Sequence, residues 1–204
     1  MIVQIDLIGA RRAPRCLAAV VGITSVEDHR AVLTNTFLRE FEPVPDMPEL
    51  YRACADMGFA FHYVSGSPWQ LYRPLATFLE VAGLPYGSFD LKHFRLKDPS
   101  TIGMLQAHQA SKLEAIDPIL TAYPRRRFIL IGDSGEQDPE IYAQVAAAHP
   151  EQVVAVFIRN VTGETIDDAR YRTLTTGLGE LQFHVFDHPE ELYRSIEEIA
   201  ENPQ

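Results

Sequence analysis

Phe128-Ile129-Leu130-Ile131-Gly132-Asp133-Ser134-Gly135-Glu136-Gln137-Asp138 is the stretch that decides the fold of this chain. The four apolar residues at its start predict a strand that is buried on both faces, as in a parallel sheet covered by helices. A short polar turn follows this strand and carries two aspartates. Ligands of open α/β sheets bind beyond the carboxyl ends of the strands, so Asp133 and Asp138 lie where a site is expected.

Two carboxylates at such an edge predict a Mg²⁺ site, because Mg²⁺ prefers a few protein oxygens together with water and phosphate oxygens. Asp138-Pro139-Glu140 is also a good helix start, with an aspartate cap, a proline in the first turn and an acidic residue near the positive end of the helix dipole. Both interpretations of Asp138 therefore stay open. The cap does not account for Asp133, for which we predict a functional role.

The length of the chain predicts a single domain over residues 1–204, since 204 residues suit one domain with a sizeable core. The formal charge of −10 and the absence of a long basic run argue against nucleic acid as a partner. Cys16 and Cys54 match no metal or redox spacing, which indicates reduced thiols in a cytoplasmic protein. No apolar run is long enough to predict a transmembrane segment. The oligomeric state does not follow from the sequence.

Apolar and amphipathic segments alternate along the chain, which predicts parallel βαβ units and an α/β fold. The predicted strands cover residues 2–9, 59–64, 89–91, 128–131, 153–158 and 183–186, and residues 16–23 form either a second strand or the true first strand. The predicted helices run from residue 25 or 28 to 32, and over 48–57, 68–82, 107–122, 139–148 and 189–200. Ser67 is the expected cap of the helix that begins at residue 68.

Further polar residues are expected near the same sheet edge. Ser65, followed by Gly66, ends its strand and can bind a phosphate oxygen, although a plain turn serine is equally compatible with the sequence. Lys112 lies on the helix before the strand predicted at residues 128–131 and could neutralise phosphate charge, or it could be a solvated surface lysine. Arg159 places a cation near this edge. Trp69 is either a core residue or a rim residue that meets an apolar substrate.

Five segments together resemble the catalytic domain of the actin-patch-associated phosphatidate phosphatases and their bacterial relatives, within the haloacid-dehalogenase (HAD) superfamily. They are Leu33-Thr34-Asn35-Thr36-Phe37-Leu38, Pro43-Val44-Pro45-Asp46-Met47, the stretch from Phe61 to Leu71, Leu91-Lys92 with Phe94-Arg95-Leu96, and Phe128 to Tyr142. The resemblance runs over about residues 22–161, whereas residues 1–21 diverge. It implies a three-layer, Rossmann-like HAD fold, with a mostly parallel sheet, helices on both faces and no large cap.

The resemblance also implies an activity. It is that of a Mg²⁺-dependent phosphatase that hydrolyses a small-molecule or lipid phosphate monoester, such as phosphatidate, through an aspartyl-phosphate. Ser65 and Gly66 would then bind the transferred phosphoryl group, and Lys112 would stabilise its charge. Asp133 and Asp138 would hold or orient the metal.

The family's Asp-Ile-Asp-Asp-Thr motif is missing. Counted back without gaps from Asn35, its positions are Cys16-Leu17-Ala18-Ala19-Val20, which supply neither the nucleophile nor the general acid/base. With an insertion, Asp6 becomes the candidate nucleophile and Ile8 occupies the acid/base position, a loss expected to cost on the order of 10²–10⁴ in rate. A further hypothesis is that an altered start or reading frame explains why the resemblance is lost before about Gly22.

Three functions follow from these observations. The first is a phosphatase of the phosphatidate type whose activity is impaired by the missing motif. The second is a non-catalytic HAD-like protein that binds a phosphate or a lipid headgroup. The third is a small-molecule receiver or nucleotide-binding domain, for which Ile8-Gly9-Ala10 is a weak glycine-rich turn. The sequence ranks the third function well behind the other two.

Overall fold

A computed structural model describes residues 17–22, 43–92 and 101–201 of the chain. Six strands in these ranges form one sheet, and every neighbouring pair is parallel. The strands are β1 (Leu17–Gly22), β2 (Ala60–Pro68), β3 (Gly87–Lys92), β4 (Arg127–Asp133), β5 (Val153–Arg159) and β6 (Gln182–Phe186). Their order across the sheet is β3-β2-β1-β4-β5-β6, so β1 and β4 are the two central strands.

Helices cover both faces of this sheet. They are α1 (Met47–Asp56), α2 (Tyr72–Val81), α3 (Thr101–Ala122), α4 (Asp138–Ala148), α5 (Ala169–Thr175) and α6 (Tyr193–Glu201), with single 3₁₀ turns at Trp69–Leu71 and Pro189–Leu192. The predicted three-layer α/β architecture with a parallel sheet is therefore confirmed. The described ranges hold this sheet and its helices and contain no separate cap domain.

One core lies between the sheet and helices α1 and α6. Leu50 and Cys54 of α1 and Ile196 of α6 pack there against alternate strand residues. Those strand residues are Ala19, Phe61, Tyr63, Ile129, Ile131, Ala155 and Phe157. Each fully buried aliphatic side chain in this layer stabilises the fold by roughly 1.5–3 kcal/mol relative to exposure.

A second core lies on the opposite face, under α3, α4 and α5. Ile116 and Leu120 come from α3, Tyr142 and Val145 from α4, and Tyr171 from α5. They contact the strand residues that point away from the first core, namely Val64, Phe128, Leu130, Val153, Val156 and Ile158. Burial on both faces explains why β4 and β5 are continuous apolar runs.

The strand register places Ser65 and Asp133 at the same level along the strand direction. Val21 of β1 pairs with Tyr63 of β2 and with Ile131 of β4. Ser65 and Asp133 each lie two residues beyond those partners, so they flank the end of β1. Because side chains alternate along a strand, both point to the face of the first core.

Several predicted boundaries differ from the structure. The helix predicted over 68–82 is present, but its predicted start and its Ser67 cap are wrong, because β2 continues to Pro68, which pairs with Lys92 of β3, and α2 begins only at Tyr72. Helix α3 begins six residues before the predicted start at residue 107, since Gly103 weakened the helical pattern in the sequence. Residues 16–23 prove to contain a central strand of the sheet. The strand predicted at 2–9 and the helix predicted before residue 32 lie outside the described ranges.

The described helices include none that combines the length and the apolar character needed to cross a bilayer.

His62 gives a prediction on pH dependence. Its Nδ1 atom lies 2.7 Å from Ser88 Oγ, and its buried Nε2 atom has no hydrogen-bond partner among the described residues. Burial, reinforced by Arg126, lowers the pKa of His62 from 6.5 to about 4. The folded state thus keeps His62 neutral while the unfolded state takes up a proton, so the free energy of unfolding should fall as pH drops from 6.5 towards 4.

The total loss from His62 over this range is on the order of 3 kcal/mol. Urea unfolding at pH 7.5 and pH 4.5 checks this prediction. The His62→Gln variant should lose less stability between the two pH values than the unaltered protein. Equal losses in both proteins would contradict the assignment of this pH dependence to His62.

Candidate functional site

Asp133 is the last residue of β4 and is almost completely buried, with 3% of its surface exposed. Its Oδ1 atom accepts a hydrogen bond of 2.8 Å from the backbone N–H of Gly135, which orients the carboxylate. Its Oδ2 atom has no protein partner in the described ranges. Asp133 therefore has one carboxylate oxygen that is available to a cation or another ligand.

Asp138 is fully buried and both of its carboxylate oxygens are engaged. Oδ1 forms an ion pair with Lys112, and Oδ2 accepts a hydrogen bond of 3.3 Å from the backbone N–H of Asp133. The helix-cap interpretation of Asp138 is wrong, because the N-cap of α4 is Gln137 and no side chain caps the helix. Burial raises the pKa of Asp138 to about 6, against the opposing effect of Lys112.

Lys112 projects from α3 to the turn after β4 and is only 4% exposed. Besides Asp138 it contacts Glu136, whose Oε2 atom accepts a hydrogen bond of 2.7 Å from Nζ. Burial disfavours the charge of Lys112, but the two carboxylates outweigh this effect and raise its pKa. Lys112 is therefore a buried cation at the site, and the solvated-surface interpretation is wrong.

Gly132 allows the two aspartates to approach each other. A Cβ atom at this position would lie 2.8 Å from both Cβ and Cγ of Asp138, closer than real Cβ atoms come. A glycine immediately before Asp133 is thus required for Asp138 to fold back over the end of β4. Gly132, Asp133 and Asp138 therefore act together, because the glycine leaves the space in which the second aspartate approaches the first.

Ser65 is buried near the end of β2, and its Oγ atom accepts a hydrogen bond of 3.1 Å from the backbone N–H of Ser67. Gly66, next to it, is half-buried. Only β1 separates β2 from β4, so two strand spacings, about 10 Å, lie between the backbones of Ser65 and Asp133. The structure therefore brings the candidate phosphate-binding and metal-binding residues to one edge, on either side of β1.

Strand β1 supplies no carboxylate, since its sequence is Leu-Ala-Ala-Val-Val-Gly. In the gapless alignment Ala18 takes the acid/base position, and it pairs with Ala60 and Phe128 near the amino ends of their strands. That position therefore lies towards the edge opposite Asp133. Asp6, the candidate nucleophile of the alternative alignment, lies outside the described residues.

Sequence reasoning missed two residues that contact the site. Glu136 pairs with Lys112, and its place between the two aspartates was a usable signal. Arg170 of α5 donates hydrogen bonds to the backbone of the turn after β4. It lies more than thirty residues further along the chain, in a helix without an apolar pattern, so no signal pointed to it. Asn160, next to the predicted cation Arg159, donates to Asp187 at 3.0 Å.

The site offers few protein oxygens for Mg²⁺. No group of three or more His, Cys, Asp or Glu side chains in the described ranges is arranged as a metal cage. Asp133 nonetheless fits, because Mg²⁺ often takes only one or two carboxylates and completes its shell with water and phosphate oxygens. Asp133 is the candidate direct ligand because its Oδ2 atom is unpaired within the described ranges, whereas the oxygens of Asp138 hold Lys112 and the Asp133 backbone.

Comparisons with known proteins agree with this architecture. Residues 19–160 match the family model of the phosphatidate phosphatase APP1 catalytic domain. An uncharacterized protein of Schizosaccharomyces pombe is 31% identical over 142 residues, and phosphatidate phosphatase APP1 of Saccharomyces cerevisiae is 34% identical over 141 residues. Each alignment covers 68% of this chain, which spans about a quarter (23%) of the length of either relative.

A solved structure from Mesorhizobium loti, described as a HAD-like phosphatase, superposes with a TM-score of 0.57. The alignment covers 95% of this chain and 91% of the other, at 13% sequence identity. This similarity concerns the fold, and it confirms the predicted HAD-like architecture.

Proposed function

Because the chain belongs to the family of phosphatidate phosphatase APP1 catalytic domains, we propose that it is a Mg²⁺-dependent hydrolase of phosphate monoesters of the phosphatidate type. The observation that carries this proposal is the buried cluster of Asp133, Asp138 and Lys112 at the carboxyl edge of the sheet. Burying two carboxylates and an ammonium group is costly, and such clusters are typical of functional sites.

In this proposal Asp133 binds Mg²⁺, which when bound offsets the negative charge of the phosphoryl oxygens. Ser65 and the backbone at Gly66 hold the phosphoryl group from the other side of β1. Lys112 keeps its proton and presents a fixed positive charge, since Asp138 and Glu136 hold its Nζ atom. Such preorganised charges stabilise a phosphoryl-transfer transition state without reorganisation during the reaction.

Turnover through an aspartyl-phosphate needs a carboxylate nucleophile, and Asp6 is the candidate that we propose. A second function is favoured by one specific observation, the lack of any carboxylate in β1. Under that alternative the chain binds a phosphate or a lipid headgroup but does not hydrolyse it. Both functions use the same metal and phosphate positions, so they differ only in the presence of the nucleophile.

Phosphate release separates the two functions. The experiment measures Mg²⁺-dependent release from dihexanoyl phosphatidate and from an aryl phosphate by the unaltered chain, Asp6→Asn and Asp133→Asn. Activity that disappears in both variants supports the hydrolase and identifies Asp6 as the nucleophile. An inactive chain that still binds Mg²⁺ and a phosphate analogue supports the binding protein. A chain that is inactive and binds neither ligand refutes both.

An aromatic rim beside the phosphate position supports a substrate with an apolar part. Trp69 follows β2 four residues after Ser65 and is 53% exposed. Its ring stacks on Tyr72 with centroids 5.4 Å apart, and Tyr72 packs edge-on against Phe89 of β3 at 5.5 Å. The rim interpretation of Trp69 thus fits the structure, and the exposed ring can cover the acyl part of a phosphate ester.

The rim gives a prediction on substrate binding. Trp69→Ala should weaken the binding of dihexanoyl phosphatidate about 3- to 10-fold, because part of an indole surface is lost as an apolar contact. Binding of inorganic phosphate should not change, and calorimetric titration of both ligands measures the difference. Tyr86→Ala is the control, since Tyr86 is 88% exposed but precedes β3 at the opposite edge. Equal weakening for both ligands, or in both variants, would contradict the role of the rim.

A further inference from the structure

Arg170 makes more contacts than an ordinary surface ion pair between two side chains. Its Nε and Nη2 atoms donate to the two carboxylate oxygens of Glu140, at 2.7 and 2.9 Å, in a bidentate pair. Nη1 also donates to Glu164 at 2.9 Å. Three-quarters of the Arg170 side chain is shielded from solvent. The guanidinium group is thus held in one orientation by carboxylates on two different segments.

The same guanidinium group reaches the turn that presents the site carboxylates. Nη1 donates to the backbone carbonyl of Ser134 and Nη2 to that of Glu136, both at 3.2 Å. These carbonyls lie directly after Asp133 and two residues before Asp138. Arg170 therefore holds the turn at two points, between the candidate metal ligand and the aspartate that pairs with Lys112.

We propose that Arg170 is a positioning residue, which fixes the turn between Asp133 and Asp138 so that the Asp133 carboxylate is preorganised for Mg²⁺. The inference rests on the proposed function. Only an arginine can do this, because its planar group offers five N–H donors in a rigid fork, whereas lysine offers one point charge. Glu140, in the first turn of α4, fixes the guanidinium group and so links the start of that helix to the turn.

The test compares Mg²⁺ affinity, measured by titration calorimetry with Mg²⁺ alone, in Arg170→Gln, Arg170→Lys and the unaltered chain. Arg170→Gln should weaken binding about 10-fold or more, as is usual when a partner that orients a ligand is removed. Arg170→Lys should not restore the affinity. Arg172→Gln is the matched control, since Arg172 is exposed on the same helix. It should bind Mg²⁺ like the unaltered chain.

A second control separates positioning from general destabilisation. Ile196→Val removes one buried methylene from the first core, on the face of the sheet opposite α5, and should lower the urea midpoint of unfolding. It should leave Mg²⁺ affinity unchanged. If Arg170→Gln binds Mg²⁺ like the unaltered chain, or if Ile196→Val loses as much affinity, the positioning role is wrong.

Hydrogen exchange in the absence of Mg²⁺ tests whether Arg170 holds the turn, independently of the proposed function. The backbone amides of residues 134–137 should exchange at least about 10-fold faster in Arg170→Gln than in Arg172→Gln, because two of the turn's carbonyl contacts are lost. If the unaltered chain binds no Mg²⁺, the metal part of the proposed function fails. Faster exchange would then still show that Arg170 holds the turn, and unchanged exchange would overturn the inference.

Discussion

Replacing Lys112 by methionine is expected to lower the free energy of unfolding by about 3–5 kcal/mol, because it leaves the fully buried carboxylate of Asp138 without its counter-charge. Methionine has a similar length, so the effect comes from charge rather than from a cavity. Glu136 is partly exposed and can turn towards water, which limits its share of the loss. Urea unfolding at pH 7 measures the change.

The double variant Lys112→Met with Asp138→Asn should recover at least half of this loss. An asparagine at position 138 removes the uncompensated charge and can still accept the hydrogen bond from the backbone of Asp133. Arg194→Met is the control, since Arg194 is 90% exposed and its pair with Glu198 is expected to contribute almost nothing. A single variant as stable as the unaltered chain would show that Asp138 is not held as a buried ion.

The second large effect concerns Asp133. Asp133→Asn should weaken Mg²⁺ binding at least about 100-fold, beyond the 10- to 100-fold that follows the loss of a merely orienting partner. The reason is that the variant loses the negative charge of the candidate direct ligand but keeps nearly the same shape. Its Oδ1 can still accept the hydrogen bond from Gly135, so the turn should stay folded. Calorimetric titration with Mg²⁺ and thermal unfolding measure the two properties separately.

Asp187→Asn is the matched control for this variant. Asp187 follows β6 at the same sheet edge, but its carboxylate accepts a hydrogen bond from Asn160 and lies outside the cluster. If carboxylates at this edge bound Mg²⁺ only by nonspecific electrostatic attraction, Asp133→Asn and Asp187→Asn would weaken binding equally. We expect Asp187→Asn to retain the affinity of the unaltered chain.

The sequence predicted the parts of the fold that depend on local pattern. The apolar run from Phe128 to Ile131 predicted a doubly buried strand, and the structure places it at the centre of the sheet. Asp133 was predicted at the edge because it follows that run directly. Residues 59–64 were predicted as a strand in the same way, although β2 extends to Pro68 because it continues to pair with β3.

Features that depend on packing could not be predicted in this way. Lys112 and Asp138 are 26 residues apart, and only the packing of α3 against α4 brings them into contact. The two interpretations of Asp138, a metal ligand and a helix cap, remained open in the sequence because an aspartate directly before Pro139 suits either role. Helix α5 is seven residues long and mostly polar, so neither it nor Arg170 had a detectable pattern.

The hydroxyl group of Ser134 connects the loop after β4 with the loop after β5. Its Oγ atom accepts hydrogen bonds from the backbone N–H groups of Val161 and Thr162, at 2.8 and 3.1 Å. Opening either loop breaks these bonds, so the two loops are expected to unfold as one cooperative unit. A ligand held at Asp133 alone would therefore slow proteolysis around residue 163, in a segment that the ligand does not touch.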